Sequence, residues 1–165
     1  MKKLVLVLAI VFAGVMSANA QVWVGGGLGA QVEKGFTAIE LLPEVGYCIN
    51  DQWQLALGAD YLMATGGGNT TNVLYVEPYV RYVGGTIGHK FSLFADLCGD
   101  LSVVNGTGYA VMLRPGIAWQ ATDDFTAAFR FGFAGYDHNF QGSGNNGFVM
   151  GMDLAAPQIR IYYNL

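Results

Sequence analysis

Along most of the chain, apolar residues alternate with small or polar ones at a period of two, the signature of strands with one apolar face. In the first such segment Val22, Val24, Leu28, Ala30 and Val32 share a face, and in the second Ile39, Leu41, Pro43, Val45 and Tyr47 do. The third gives Trp53, Leu55, Leu57, Ala59, Tyr61 and Met63, the fourth Leu74, Val76, Pro78, Val80 and Tyr82, and the fifth Phe91, Leu93, Ala95 and Leu97. The sixth gives Tyr109, Val111, Leu113, Pro115, Ile117 and Trp119, and the seventh Phe125, Ala127, Phe129, Phe131 and Phe133. The eighth gives Ala155, Pro157, Ile159, Ile161, Tyr163 and Leu165. Turn-rich stretches such as "GYCINDQW", "VGGTIGHK" and "WQATDDF" separate successive segments. The pattern predicts an all-β protein, an eight-stranded antiparallel up-and-down barrel built from four hairpins.

All four prolines of the chain lie in one recurring motif, "PEVGY" from Pro43, "PYVRY" from Pro78, "PGIAW" from Pro115 and "PQIRI" from Pro157. Each marks the returning strand of a hairpin. Proline has no N–H for a ladder, so a bulge or a missing bond is expected at each.

The opposite face carries Gly, Ala, Gln and Ser together with Glu40, Glu44, Asp60, Glu77, Arg81, Asp96, Asp100, Arg114, Arg130 and Arg160. In a soluble barrel the apolar face would be the core. Here the apolar side chains are bulky, and an eight-stranded interior is only just wide enough for side chains. The polar face, rich in Gly and Ala, suits that interior better. Apolar side outward and polar side inward is the arrangement of a transmembrane β-barrel. Aromatic residues flank the short turns, with Tyr47 and Trp53 at the first, Tyr82 and Phe91 at the second, Trp119 and Phe125 at the third, and Tyr163 near the chain end. They predict a girdle at one membrane interface.

Composition points the same way. The chain is 53% hydrophobic and only 12% charged, about half the charged fraction usual in a soluble domain. No apolar run after the first twenty residues approaches the length of a membrane helix. Those twenty have the layout of a secretory signal peptide: Lys2 and Lys3, an apolar run from Leu4 to Met16, and Ala18-Asn19-Ala20 at the cleavage point. Residues 1–20 are therefore assigned as signal peptide and 21–165 as the barrel domain. Loss of Lys2 and Lys3 takes the formal net charge from −4 to about −6, which argues against a nucleic-acid partner, since that requires a basic face.

The signal peptide, the "PEVGY" and "RPGIAW" strands and the terminal "IRIYYNL" resemble the small eight-stranded outer-membrane β-barrel family of Gram-negative bacteria, over the whole mature chain. Such barrels end on an aromatic residue after alternating apolar positions; here Ile159, Ile161 and Tyr163 fit and Leu165 replaces the final Phe. The resemblance implies a cell outer-membrane location and a monomer. Its partners would be outer-membrane lipid, lipopolysaccharide and, through the C-terminal strand, the barrel-assembly machinery. It implies no single activity, because members include anchors, adhesins, small pores and lipid-modifying enzymes.

No catalytic, cofactor or metal site is expected. His89 reads as a solvated turn residue. Asp137, His138 and Ser143 share the longest outer connection, Tyr136–Gly147, but match no triad order and supply too few metal ligands. "WVGGGLG" lacks the strand–loop–helix context of a phosphate site, and "ATGGGNTTN" reads as a flexible outer loop. The expected function is a structural or surface-interaction role with a charged, plugged lumen. A small solute pore, a lipid-modifying enzyme and a soluble lipocalin-like binder are the alternatives.

If the girdle aromatics pair across each turn, Glu40 faces Asp60, Glu77 faces Asp96 and Arg114 faces Arg130, all like-charged. Salt bridges across the lumen would then be needed, with Arg114, Arg130 and Arg160 reaching Glu77, Asp96 and Glu44, and Arg81 bridging within the acidic side. Cys48 and Cys98 fall at different heights, so no bond between them is expected.

Overall fold

The computed structural model describes residues 21–104, 107–152 and 158–165. The predicted signal peptide, Asp153, Ala155 and Pro157 lie outside the described residues. Ten strands run β1 (Val22–Glu33), β2 (Phe36–Cys48), β3 (Trp53–Gly66), β4 (Asn69–Ile87), β5 (Phe91–Val104), β6 (Tyr109–Gln120), β7 (Phe125–Arg130), β8 (Gly132–His138), β9 (Asn146–Met152) and β10 (Gln158–Asn164). β7 with β8 forms the seventh stave and β9 with β10 the eighth. Successive staves pair antiparallel, and β10 lies between β7 and β1. The result is a closed eight-stranded antiparallel barrel. It closes where Trp23 lies opposite Asn164, through to Gly26 opposite Ile161.

The alternation sets the faces as expected in the first six staves. On β6, for example, Tyr109, Val111 and Leu113 are exposed while Ala110 and Met112 are buried. The seventh stave departs from it. Gly116 pairs with Arg130, yet Leu113 pairs with Ala134, so the stave carries one extra residue. The Phe131 N–H donates to the Pro115 carbonyl at 3.3 Å within this bulge. A bulge reverses the phase beyond it. In the register Phe133 therefore falls in phase with Asp137, not with Phe125 and Phe129 as the sequence pattern suggested, while its side chain is still 42% exposed. The eighth stave also begins earlier than expected, at Asn146, with Phe148, Met150 and Met152 outward.

Each described proline of the motif sits at a break in the ladder to the following strand. β2 and β3 pair at Leu41–Tyr61 and again at Glu44–Gly58, with Leu42 and Pro43 unpaired toward β3. β4 and β5 pair at Val76–Leu101 and again at Tyr79–Cys98, skipping Pro78. Pro115 adjoins the seventh-stave bulge. The missing proline N–H accounts for all three.

Two connections differ from expectation. Most of "ATGGGNTTN", read from the sequence as a flexible outer loop, is strand: β3 and β4 run up to a two-residue turn at Gly67 (φ 58°) and Gly68 (φ 82°), the left-handed pair that tight hairpins favour. At the other end β4 continues to Ile87 beyond a register shift between Val83 and Thr86, leaving Gly88, His89 and Lys90 as the turn, with His89 exposed.

The interior is not only small and polar. Trp23, Tyr79, Phe94 and Tyr162 are at most 4% exposed and form a cluster with Ala56, Cys98 and Ala128. Glycines on neighbouring strands make the room. A Cβ on Gly46 would lie 2.0 Å from the Trp23 ring, and one on Gly116 would lie 2.2 Å from the Phe94 ring. Cys98 is buried and Cys48 partly so, and both are free thiols.

Candidate functional site

The site that the barrel builds is its charged lumen. Alternation points the predicted charges inward, and the barrel's small radius brings them together. Arg81 on β4 lies opposite Asp96 on β5, and Asp96 lies opposite Arg114 on β6. Opposite charges thus face each other where like charges had been expected. Glu40 lies opposite Leu62, Glu44 opposite Gly58, and Arg130 opposite Gly116 and Gln158.

The corrected register follows from the aromatics. Tyr47 lies opposite Leu55, and Trp53 meets Tyr82 on the next strand, ring centroids 4.9 Å apart. Phe91 lies opposite Ile87 on β4 and opposite Trp119 on β6. Phe125 meets Tyr163 at 5.0 Å. The girdle residues pair between hairpins, not across the turns. At the other rim Tyr61, Tyr109, Tyr136 and Phe148 also face outward and are exposed. From Tyr109 to Trp119 on one strand, a rise of about 3.3 Å per residue at the tilt of a small barrel gives an apolar band on the order of 25 Å tall.

Inside, the four guanidiniums and four carboxylates form one connected network. Arg81 donates from Nε to Asp96 Oδ1 at 2.7 Å and from Nη2 to Asp96 Oδ2 at 2.9 Å, and also to the Tyr162 hydroxyl at 3.2 Å. Arg130 donates from Nε to Asp96 Oδ2 at 2.8 Å and from Nη1 to Glu77 Oε1 at 2.8 Å. Arg114 grips Asp100 at 3.0 and 2.5 Å and also pairs with Glu77. Arg160 reaches Glu77 at 3.2 Å and pairs with Glu44, which accepts the Tyr79 hydroxyl at 2.6 Å. Arg160 is on the eighth stave and Glu77 on the fourth, so this contact crosses the full bore.

Burial makes these pairs strong in attraction and costly to expose. Asp96 is fully buried, and Arg81, Asp100, Arg130 and Arg160 are at most 4% exposed. Bidentate geometry such as that of Arg81 on Asp96 satisfies several donors at once, which buried ions require. Flat guanidinium faces lie on the interior aromatics: Arg81 is 4.1 Å from the Phe94 centroid and Arg130 is 4.8 Å from that of Tyr79. The sequence pattern gave no sign of these aromatic partners, because an apolar residue on a polar face breaks the alternation. A bulky residue opposite a glycine on the inward face, as Trp23 opposite Gly46, was the available signal.

Glu40 and Asp60 stand apart from the network. Among the described residues, no ion pair includes either. The network divides the lumen, with a cavity of about 160 Å³ toward the chain termini, lined in part by Trp23, Gln54 and Arg81. A second, of about 230 Å³, lies toward the loops and is lined in part by Glu40, Asp60 and Tyr75.

The outer-loop residues do not converge on a triad. Asp137 is buried and accepts the Phe140 N–H at 2.8 Å and the Ser143 hydroxyl at 3.1 Å. His138 projects from the other face, its Nδ1 3.1 Å from Asn146 Oδ1 and its ring 5.0 Å from that of Tyr109. Among the described residues, no group of three His, Cys, Asp or Glu side chains is arranged to hold a metal.

No model of a known protein family matches the chain, and no curated protein matches it.

Proposed function

We propose that the protein is an outer-membrane β-barrel of a Gram-negative envelope, exported by its signal peptide and held shut by the lumen network, with a structural or surface-interaction role and no enzymatic one. The carrying observation is the inverted polarity of the wall. Leu93, Leu97, Val111, Leu113, Ile159 and Ile161 are all 44–56% exposed on the outside, while Arg81, Arg130, Arg160, Glu44, Asp96 and Asp100 are buried inside. Water would leave that outer band uncovered; lipid chains cover it, and the two aromatic rims suit the interfaces on either side. A soluble lipocalin-like binder has the reverse polarity.

On this reading both termini face the periplasm, because eight staves bring the chain back to its starting side. Lipid and lipopolysaccharide surround the wall, and the terminal strand engages the assembly machinery. The second reading is a small solute pore, favoured by the two cavities that flank the network. Planar-bilayer conductance of the purified barrel separates the two. The closed reading expects no steady single-channel current from the native protein and discrete openings from Arg114→Ala or Arg130→Ala. Steady conductance in the native protein that neither substitution changes establishes the pore instead.

A further inference from the structure

The loop end of the barrel carries a strap across its mouth. The single 3-10 turn Phe140–Gly142 joins the seventh stave to the eighth. Its Phe140 ring nevertheless stands 5.0 Å from that of Tyr75 on the fourth stave, three staves away around the wall. Tyr75 is a lumen residue, 5% exposed, and Tyr75, Phe140 and Gln141 all line the loop-end cavity of about 230 Å³. The turn therefore covers that cavity instead of standing clear of it.

The strap is fastened at few points. Asp137 Oδ1 accepts the Phe140 N–H at 2.8 Å and the Ser143 hydroxyl at 3.1 Å. The Gln141 N–H donates to the Thr107 carbonyl at 3.1 Å, and the Thr107 hydroxyl donates to the Asn139 carbonyl at 3.2 Å. Phe140 is the one apolar side chain between Asn139 and Asn145. The backbone is strained where it turns. Asn139 (φ 49°) and Gln141 (φ 57°) are the only non-glycine residues with positive φ among the described residues. A segment with few apolar contacts and exposed hydrogen bonds opens locally without global unfolding. The strain at Gln141 lasts only while the turn keeps this shape, so it favours release.

We infer that residues 139–144 are a hinged lid that opens the loop-end chamber to solution while the wall stays folded. The Phe140 ring is its latch on Tyr75, and Asp137 is its fixed post. Arg114 and Arg160, both paired with Glu77, close the chamber's floor, so the lid is a second barrier in series with the network. Closure gains one ring contact and carries the strain of Gln141, a balance that either side can tip.

The inference needs a folded barrel and is independent of where the barrel resides. Gly58 lines the chamber, and a Cβ there meets nothing nearer than 3.4 Å. The test places Gly58→Cys in a Cys48→Ala, Cys98→Ala background, folded in detergent, and follows its reaction with a cationic methanethiosulfonate reagent. Lys34→Cys, at an exposed turn, gives the rate of an open thiol. Gly58→Cys should react on the order of a hundredfold more slowly, because only the open lid admits the reagent. Adding Phe140→Ala should speed it about tenfold, as loss of the ring contact requires. Adding Gln141→Gly removes strain from the closed form and should slow it several-fold. Both should keep the heat-dependent gel mobility of the folded barrel. Asp60→Cys, in the same chamber, is a second reporter and should follow the same order. Reporters that react as fast as Lys34→Cys show an open mouth and overturn the inference. So does Phe140→Ala if it leaves the rate unchanged or raises it only with loss of the folded band, and so does Gln141→Gly if it speeds the reaction.

Discussion

Arg81 and Asp96 stand directly opposite each other across the β4–β5 ladder and join through two hydrogen bonds, and Asp96 takes a second guanidinium, Arg130, from β7. One fully buried carboxylate therefore bridges two nearly buried cations, and Glu77 supplies the second counter-charge through Arg130. Removing a single partner of such a pair strands the other charge, at a cost of about 3–5 kcal/mol. Asp96→Ala should lower the unfolding free energy measured by urea titration by that amount. Replacing all three with apolar side chains, Arg81→Met, Asp96→Leu and Arg130→Met, should recover most of it. A loss below about 1 kcal/mol for Asp96→Ala would mean that lumen water solvates these ions.

Gly46 carries the Trp23 ring against its backbone. Gly46→Ala places a methyl 2.0 Å from that ring and should cost about 1–3 kcal/mol by overpacking. Gly147→Ala, where nothing lies within 4 Å of the new Cβ, is the matched control and should leave the unfolding midpoint unchanged. Equal behaviour of the two variants would contradict the packing of Trp23 into the lumen.

The cysteines give a chemical check on the register. Cys98 is 1% exposed and Cys48 is half-buried at the end of β2. Without reductant, a thiol reagent in denaturant should label both. In the folded barrel Cys98 should react far more slowly than Cys48. Recovery of no free thiol from a monomer would refute the separation of the two strands.

Tyr163 and Asn164 lie opposite Val24 and Trp23 at the closure. Deleting residues 163–165 removes these pairings and leaves two sheet edges, which on the proposed membrane reading lipid could not satisfy. The truncated chain should lose the heat-dependent gel mobility shift of a folded barrel. A normal shift and normal membrane yield would place the closure elsewhere.

The faces of the wall were legible in the sequence because side-chain alternation has a period of two and tolerates no ambiguity where one face is apolar. Heights were not. Alternation says which way Trp53 points and says nothing of which aromatic stands beside it, since the stagger between strands depends on turn length and bulges. A break was expected beside Pro115, but the extra residue it brought at Phe131, which puts Phe133 out of phase with Phe129, was not, and neither were the shifts between Leu74 and Tyr75 and between Val83 and Thr86, the second of which carried β4 on to Ile87. The like-charged pairings inferred for Glu40 with Asp60 and Arg114 with Arg130 fell with that register. The partners named for the arginines held, because a narrow bore leaves long guanidinium side chains few carboxylates to choose from. The aromatic floor of Tyr79, Phe94 and Tyr162 was hidden by its own position among polar neighbours.

Arg160 sits on the last strand, and Glu44 and Glu77, its partners, sit on the second and fourth. The strand that seals the barrel is thus also the one that delivers the final cation to the network. Folding has to bring together the first and last strands of the barrel, the most distant contact its topology contains, and such contacts form late. Until they do, Glu44 has no cation and β1 has a bare edge. Hydrogen-bond closure and charge neutralisation then arrive in one step, so a chain interrupted before Arg160 is left both open and acidic, with no half-finished state for it to rest in.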